Sequence, residues 1–330
     1  MKPACPVLAA LFVFLCTPAF AQLNDCYKTV DHLIWVVRDI ERVAGKWEGT
    51  GITRVGKVAS IDLKGTRFGG RESGGRIRCA AGNLAGAKVA WIQPVSGDNA
   101  YSAFAGRRGE GVLALVHRLD SSQALDQEVA RLQSLGVGVL QEGPFPDAGS
   151  GSRLVLLDTA AEGKYVLGLS CGSQSPGEKA TATDHALSQY AFVVRDMRPV
   201  SAYWKKLGWP VMSYTHGQLI DLQYRGRPGR FDQELGWQRQ GKIVYEWIVA
   251  LKGPTVYEDF LKVHGEGFHH LAFDVPDMDK AIAKWKGAGY ENVQSGAWGD
   301  AGKPGSGRFA YIDTGSIGGV VVELLWNFGR

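Results

Sequence analysis

The sequence HLIWVVRDIERVAGKWEGTGI (32–52) returns 157 positions later as QYAFVVRDMRPVSAYWKKLGW (189–209). Arg38-Asp39 and Trp47 recur in the second copy as Arg195-Asp196 and Trp204. Farther along, Gly109-Glu110-Gly111 recurs as Gly265-Glu266-Gly267 at an offset of 156, and Asp158-Thr159 as Asp313-Thr314 at an offset of 155. Chance does not easily hold four motifs in register over that span. The slow drift in offset is what small loop deletions produce, so the chain reads as two homologous domains. Their expected limits are 22–171 and 185–330, joined by a polar, small-residue-rich linker at 172–184.

Each domain repeats again within itself. VVRDI, VVRDM and FDVPDM each end a short apolar strand in an Asp-bearing turn. An amphipathic helix follows, as in DMDKAIAKWKGAGY (277–290), where Met278, Ile282 and Trp285 fall at helical spacing. The less obvious module of the first half carries the stripe Leu125, Val129, Leu132, Leu135, which reads as core. Pairs of strands such as RLVLLDT with KYVLGLS, and RFAYIDT with GVVVELL, close the modules between glycine and proline clusters. The expected class is α+β: four βαβββ modules forming two paired half-barrel domains.

Two strands of the second half carry polar groups where a core strand should have none. In GEGFHHLAFDV (265–275) strict alternation puts Phe268, His270 and Ala272 on one face, and His269, Leu271 and Phe273 on the other. Glu323 sits in GVVVELLW (319–326), between Val322 and Leu324. An ionised carboxylate there is costly unless a cation accompanies it. Taken singly, each residue also reads as a hydrogen-bonded core histidine or a sheet-edge glutamate.

The 330-residue chain has room for two domains with real cores, and its net charge of +4 is dispersed without a basic block, so nucleic acid is not indicated. Lys2, an apolar run from Val7 to Cys16, and Ala19-Phe20-Ala21 before Gln22 read as a secretory signal over 1–21, so a periplasmic or secreted protein is expected. No later segment is long and apolar enough to span a membrane. Cys26, Cys79 and Cys171 remain after its removal, enough for one bridge; Cys26–Cys171 is the expected pair because both flank the strands of the first half.

Architecture and motifs together resemble the vicinal oxygen chelate superfamily, which includes glyoxalase I, methylmalonyl-CoA epimerase and the extradiol dioxygenases. The resemblance covers nearly the whole chain after the signal. It is closest to the epimerase pattern in EWIVALKGPTVYEDFLKVHGEGFHHLAFDVPDMDKAI (246–282). In that family two modules form a cup around a divalent metal held by residues of the first and last strand of each module. The resemblance therefore implies Gln189, Glu246, His270 and Glu323 as metal ligands, with Glu246 or Glu323 as the catalytic base. Gln189 departs from the family's commoner histidine. One imidazole and three oxygen ligands suit Zn, Ni, Co, Mn or Fe. The corresponding positions of the first half are His32, Ala90, Ala114 and Gly168, so that half is expected to be metal-free, with His32 a lining residue.

His185, His216 and His264 read as surface residues. Arg225, Arg227 and Arg230 form a loop cluster, and Tyr214, Tyr224, Tyr245 and Trp247 are aromatic candidates for lining the cup. The implied activity is that of a metal-dependent lyase or isomerase on a small oxygen-rich metabolite, through metal-stabilised enolate chemistry. A non-haem iron dioxygenase and a non-catalytic ligand-binding protein are the alternatives. The expected partner is a small-molecule substrate, and the chain is expected as a monomer or homodimer.

Overall fold

The computed structural model describes residues 23–146, 152–172, 179–180 and 182–329. The expected signal (1–21) and most of the central linker (173–178 and 181) lie outside the described residues. The described chain forms two curled sheets, of eleven and ten strands, with helices packed on them.

Both sheets have the same centre. In the second, Ala186–Val193 runs parallel to Ile243–Lys252 and antiparallel to Gly267–Asp274, which runs parallel to Val321–Asn327. In the first, His32–Val36, Ala87–Ser96, Gly111–Arg118 and Val166–Cys171 take the same places with the same directions. The two modules of each half therefore meet side by side at their first strands. This arrangement curls the sheet into a cup and produces the expected paired half-barrels.

The recurring Asp of each turn caps the helix that follows it. Asp39, Asp196 and Asp277 accept the backbone N–H of Arg42, Arg198 and Lys280, and Ser121 does the same for Ala124 in the divergent module. Each cap satisfies a backbone donor the helix cannot, typically stabilising it by about 1 kcal/mol. The recurring Trp has a different task. Trp47 Nε1 donates to the Ile317 carbonyl at 2.7 Å, and Trp204 Nε1 to the Gly163 carbonyl at 3.1 Å, so each reaches into the opposite domain. Around them one apolar core runs through both halves, while each cup keeps a separate cluster inside it.

Two expectations fail. Cys26 and Cys171 are not joined: the Cys171 Sγ rests 3.5 Å from the Ser122 hydroxyl rather than in a bridge to Cys26. His185 is no surface residue: it is buried, accepts the Trp285 indole N–H at 3.1 Å and pairs with Asp184. No helix among the described residues is long and apolar enough to cross a membrane.

Candidate metal centre

Strand register collects the four expected residues on one face. Ala191 lies opposite both Glu246 and His270, while Gln189, two residues earlier, lies opposite Ala272, which in turn faces Glu323. Residues directly paired across strands, and residues two apart along one, share a face. That face lines the cup of the second domain, among Ala191, Val193, Ala272 and Tyr311.

The cluster is tight. His270 Nε2 donates to Glu323 Oε2 at 3.1 Å and lies 3.2 Å from Glu246 Oε2. One ligand atom from each of the three residues lies within 4.8 Å of the others. His270 is fully buried and the two carboxylates are each 4% exposed. Burial and then the Glu323 charge raise the Glu246 pKa, against the pull of His270. Burial alone would lower His270; the two carboxylates outweigh it and hold the imidazolium well above its usual range. Two buried carboxylates thus share a single positive charge.

Several buried polar atoms here lack hydrogen bonds, His269 Nε2 among them, and two are oxygens of the expected ligands. Gln189 Oε1 and Glu246 Oε2 are buried without a hydrogen-bond partner. Buried oxygens without donors are costly, and a cation is what would satisfy them. An amide oxygen, two carboxylates and an imidazole nitrogen form a donor set for a hard to borderline divalent ion. The residues therefore fit a metal.

His269 overturns the alternation expected from the sequence. Ala191 and Phe192 face His270 and Phe268, which leaves His269 as the extra residue of a β-bulge. The bulge turns both histidines toward the cup. His269 packs against Tyr257, Phe260 and Tyr311, with its Nδ1 2.9 Å from His270 Nδ1. A His270 that offers Nε2 to a cation carries its proton on Nδ1 and donates it to His269. That contact fixes the ring orientation and tautomer of His270.

Two tyrosines complete the wall. Tyr257 donates its hydroxyl hydrogen to Tyr311 at 2.8 Å, and Tyr311 lies opposite Glu323 in the sheet. Burial, then the Glu323 charge, raises both phenol pKa values well above the usual range, so both stay protonated. The aromatic candidates from the sequence fare worse. Tyr245 and Trp247 face the interdomain core, Tyr214 is exposed, and Tyr224 donates to Asp259 near the rim. Arg225 pairs with the same Asp259, His216 is exposed and pairs with Asp232, and His264 is half-buried.

The first cup has the same register without the chemistry. Ile34 lies opposite Ala90 and Ala114, and Val116 opposite both His32 and Gly168. A side chain at Gly168 would strike Val116, 2.8 Å from its Cβ position. His32 pairs with Asp31 at 2.8 Å and rests on Phe145.

Comparison with known proteins agrees with this fold. Residues 188–311 match the model of the glyoxalase/bleomycin resistance protein/dioxygenase superfamily. A triple mutant of 4-hydroxymandelate synthase from Streptomyces coelicolor superposes with a TM-score of 0.61 at 15% identity, over 91% of this chain and 93% of that one. A fusion of a xylose isomerase-like TIM barrel with 4-hydroxyphenylpyruvate dioxygenase gives 0.56 at 13% identity, over 92% of this chain and 49% of that one. At such identities the likeness speaks for the fold alone. No curated protein matches the chain in sequence. The special nearness to methylmalonyl-CoA epimerase rests on the motifs and gains nothing from these matches. The family match falls on the metal-competent half, so residues 188–311 belong to the vicinal oxygen chelate superfamily, and the first half shares its topology.

Proposed function

We propose that the protein is a metal-dependent enzyme of lyase or isomerase type, acting on a small molecule with two adjacent oxygens, such as a 2-hydroxy or 2-keto acid. The observation that carries this reading is the buried Glu246–His270–Glu323 cluster with its orphaned oxygens. Gln189, Glu246, His270 and Glu323 would hold the ion. When bound, the cation supplies Lewis-acid polarisation of the substrate oxygens, lowering the cost of an enolate. Glu246 is the residue suited to move the proton. Burial and the Glu323 charge raise its pKa toward neutrality, where a carboxyl can both take and release a proton. Tyr257 and Tyr311 keep their protons beside these carboxylates and can orient a substrate oxygen. The apolar cup around them excludes water and strengthens every polar contact inside it. Gln189 stands on the half-buried end of its strand, the side from which a substrate would enter.

Two carboxylates with one histidine favour this reading over a ring-cleaving or keto-acid dioxygenase, which prefers two histidines and one carboxylate around iron. Within the proposal, residues 22–171 and 185–330 are the two domains and 1–21 an export signal. Amino-terminal sequencing of exported protein should then begin at Gln22. A location outside the cytoplasm argues against a coenzyme A thioester as substrate.

The test is elemental analysis of protein loaded in turn with Mn, Fe, Co, Ni and Zn, followed by proton NMR in deuterated buffer with simple 2-hydroxy and 2-keto acids. One divalent ion per chain and deuterium at the carbon next to the carbonyl or carboxylate support the proposal. Stoichiometric iron with oxygen consumption would move the reaction to a dioxygenase. No bound ion under any loading would leave a ligand-binding protein.

A further inference from the structure

The copy without metal ligands keeps a cavity of its own. It measures about 540 Å³ and opens where the first cup meets the start of Gly267–Asp274. Phe104, Leu113 and Val166 of the first cup form its floor, with Phe68 beside them and Phe268 closing it from the second domain. Apolar surfaces of this size with a few convergent polar groups are what small-molecule sites are made of.

The polar groups here are mostly cations. Arg107, Arg108 and Lys164 line the wall, against Glu266 and Asp158. Lys164 is already engaged, with its Nζ 2.9 Å from Glu266 Oε2, while Glu266 Oε1 accepts the Arg195 backbone N–H. Arg108 has no such partner. Its Nη1 donates to the Glu266 backbone carbonyl at 2.6 Å, and Nη2 lies against Gly267 so closely that a Cβ there would come within 2.9 Å. Burial, and then the charge of Arg107, lower its pKa. Among the described residues neither arginine forms an ion pair with a carboxylate, and Asp158 is exposed and bonded to neither. A desolvated guanidinium beside a second cation is costly without an anion.

The pseudo-symmetric junction shows that the fold does not require this arrangement. At offsets of 156 and 155, Arg107, Arg108 and Lys164 correspond to Val263, His264 and Gly319. There the glutamate of the Gly-Glu-Gly turn, Glu110, receives two hydrogen bonds from Arg42, at 2.8 and 2.9 Å. The unpaired cations belong to one junction only.

We propose that this cavity binds a small amphipathic monoanion, with its carboxylate on Arg107 and Arg108 and its apolar body on Phe104, Leu113 and Phe268. The wall carries three cationic and two acidic side chains, so a single negative charge neutralises it. A guanidinium pair presents the planar fork that a carboxylate matches. The site is separate from the metal centre: Leu113 stands where the second cup has His269.

Equilibrium dialysis of radiolabelled octanoate against the full chain, with 1-octanol as the uncharged control, tests the proposal. One octanoate should bind per chain, with or without divalent metal, and octanol should bind at least about tenfold more weakly. Arg107→Gln and Arg108→Gln should each weaken octanoate about tenfold or more. Ala103→Trp, at an exposed position on the cavity rim, should abolish it by filling the space. Should Arg108→Gln fail to fold, the exposed Arg107 and Ala103 variants decide. No bound octanoate, equal binding of octanol, or full octanoate affinity in Arg107→Gln or Ala103→Trp would overturn the assignment.

Discussion

At four equivalent strand positions the two cups differ completely. The first has His32, Ala90, Ala114 and Gly168 where the second has Gln189, Glu246, His270 and Glu323. The strands pair in the same order and directions, down to a bulge that leaves Leu113 over in one copy and His269 in the other. The first cup therefore shows that topology, register and bulge need no polar side chain at three of these four places. Burying two carboxylates and an imidazole in the second cup costs stability that an apolar set would not. Proteins keep such departures from a packed core where function requires them.

The largest effect that can break this contrast comes from the imidazoles. His270→Ala should weaken binding of Mn, Co or Ni by about 100- to 1,000-fold, taking metal-site free energies of roughly 10–16 kcal/mol as shared among four ligands. His32→Ala should leave metal affinity unchanged. Calorimetric titration of both variants checks this, and equal losses would end the idea that only one cup holds an ion.

Next in size is an acid-sensitivity confined to the first half. Buried His117 takes the place that Phe273 has in the second copy; its Nδ1 donates to the Thr29 carbonyl at 2.7 Å, and Nε2 has no partner. Burial lowers its pKa to about 4, against weaker opposing help from the Thr29 and Cys26 carbonyls. The unfolded chain takes up this proton near its ordinary value of about 6.5, so below that pH the unfolded state binds more protons. His117 thus favours the fold fully above about 6.5 and loses roughly 3 kcal/mol as pH falls through 4. His117→Phe should flatten that limb in thermal melts between pH 7 and 4. A limb of undiminished slope would show that other groups cause it.

A smaller effect isolates the bulge. His269→Leu, the residue found at Leu113, should keep the fold and lower metal affinity about 10- to 100-fold, the usual loss when a group supporting a ligand is removed. Nitrogen-15 NMR of the metal-free protein should also show His270 Nδ1 losing the hydrogen-bonded shift it has beside His269. An unchanged affinity and spectrum would make His269 packing only.

The duplication was legible in the sequence, because an internal repeat supplies its own alignment, while the four candidate positions came with the family resemblance. Alternation also held the means to discard Tyr245 and Trp247: they flank Glu246, so they must face away from it. His269 was not legible. A period of two assumes an unbroken ladder, and one extra residue reverses the face of whatever occupies it. Tyr257 was hidden for a related reason, since helical spacing does not say which side of a short helix looks into the cup. Tyr311 could have been found, because it replaces Leu156 of the first copy opposite Glu323. His185 was misjudged because its neighbours in sequence are polar, whereas its partner Trp285 is a hundred residues away.

The finest distinction concerns Gln189, the one expected ligand that sits on the half-buried end of its strand. Its Oε1 has no hydrogen-bond partner, as does Glu246 Oε2, and both stand on the face shared with His270 and Glu323. If that oxygen completes the metal's shell, Gln189→His should raise affinity for Ni, Co or Zn by about tenfold, because imidazole binds such ions better than an amide oxygen does. Affinity for Mn should rise least, since Mn prefers oxygen ligands. If Gln189 only lines the entrance, the substitution should leave all four affinities together and change substrate affinity instead. A metal titration series across the four ions separates the two outcomes: a graded rise from Mn to Ni places Gln189 on the ion, and a flat response places it at the mouth of the cup.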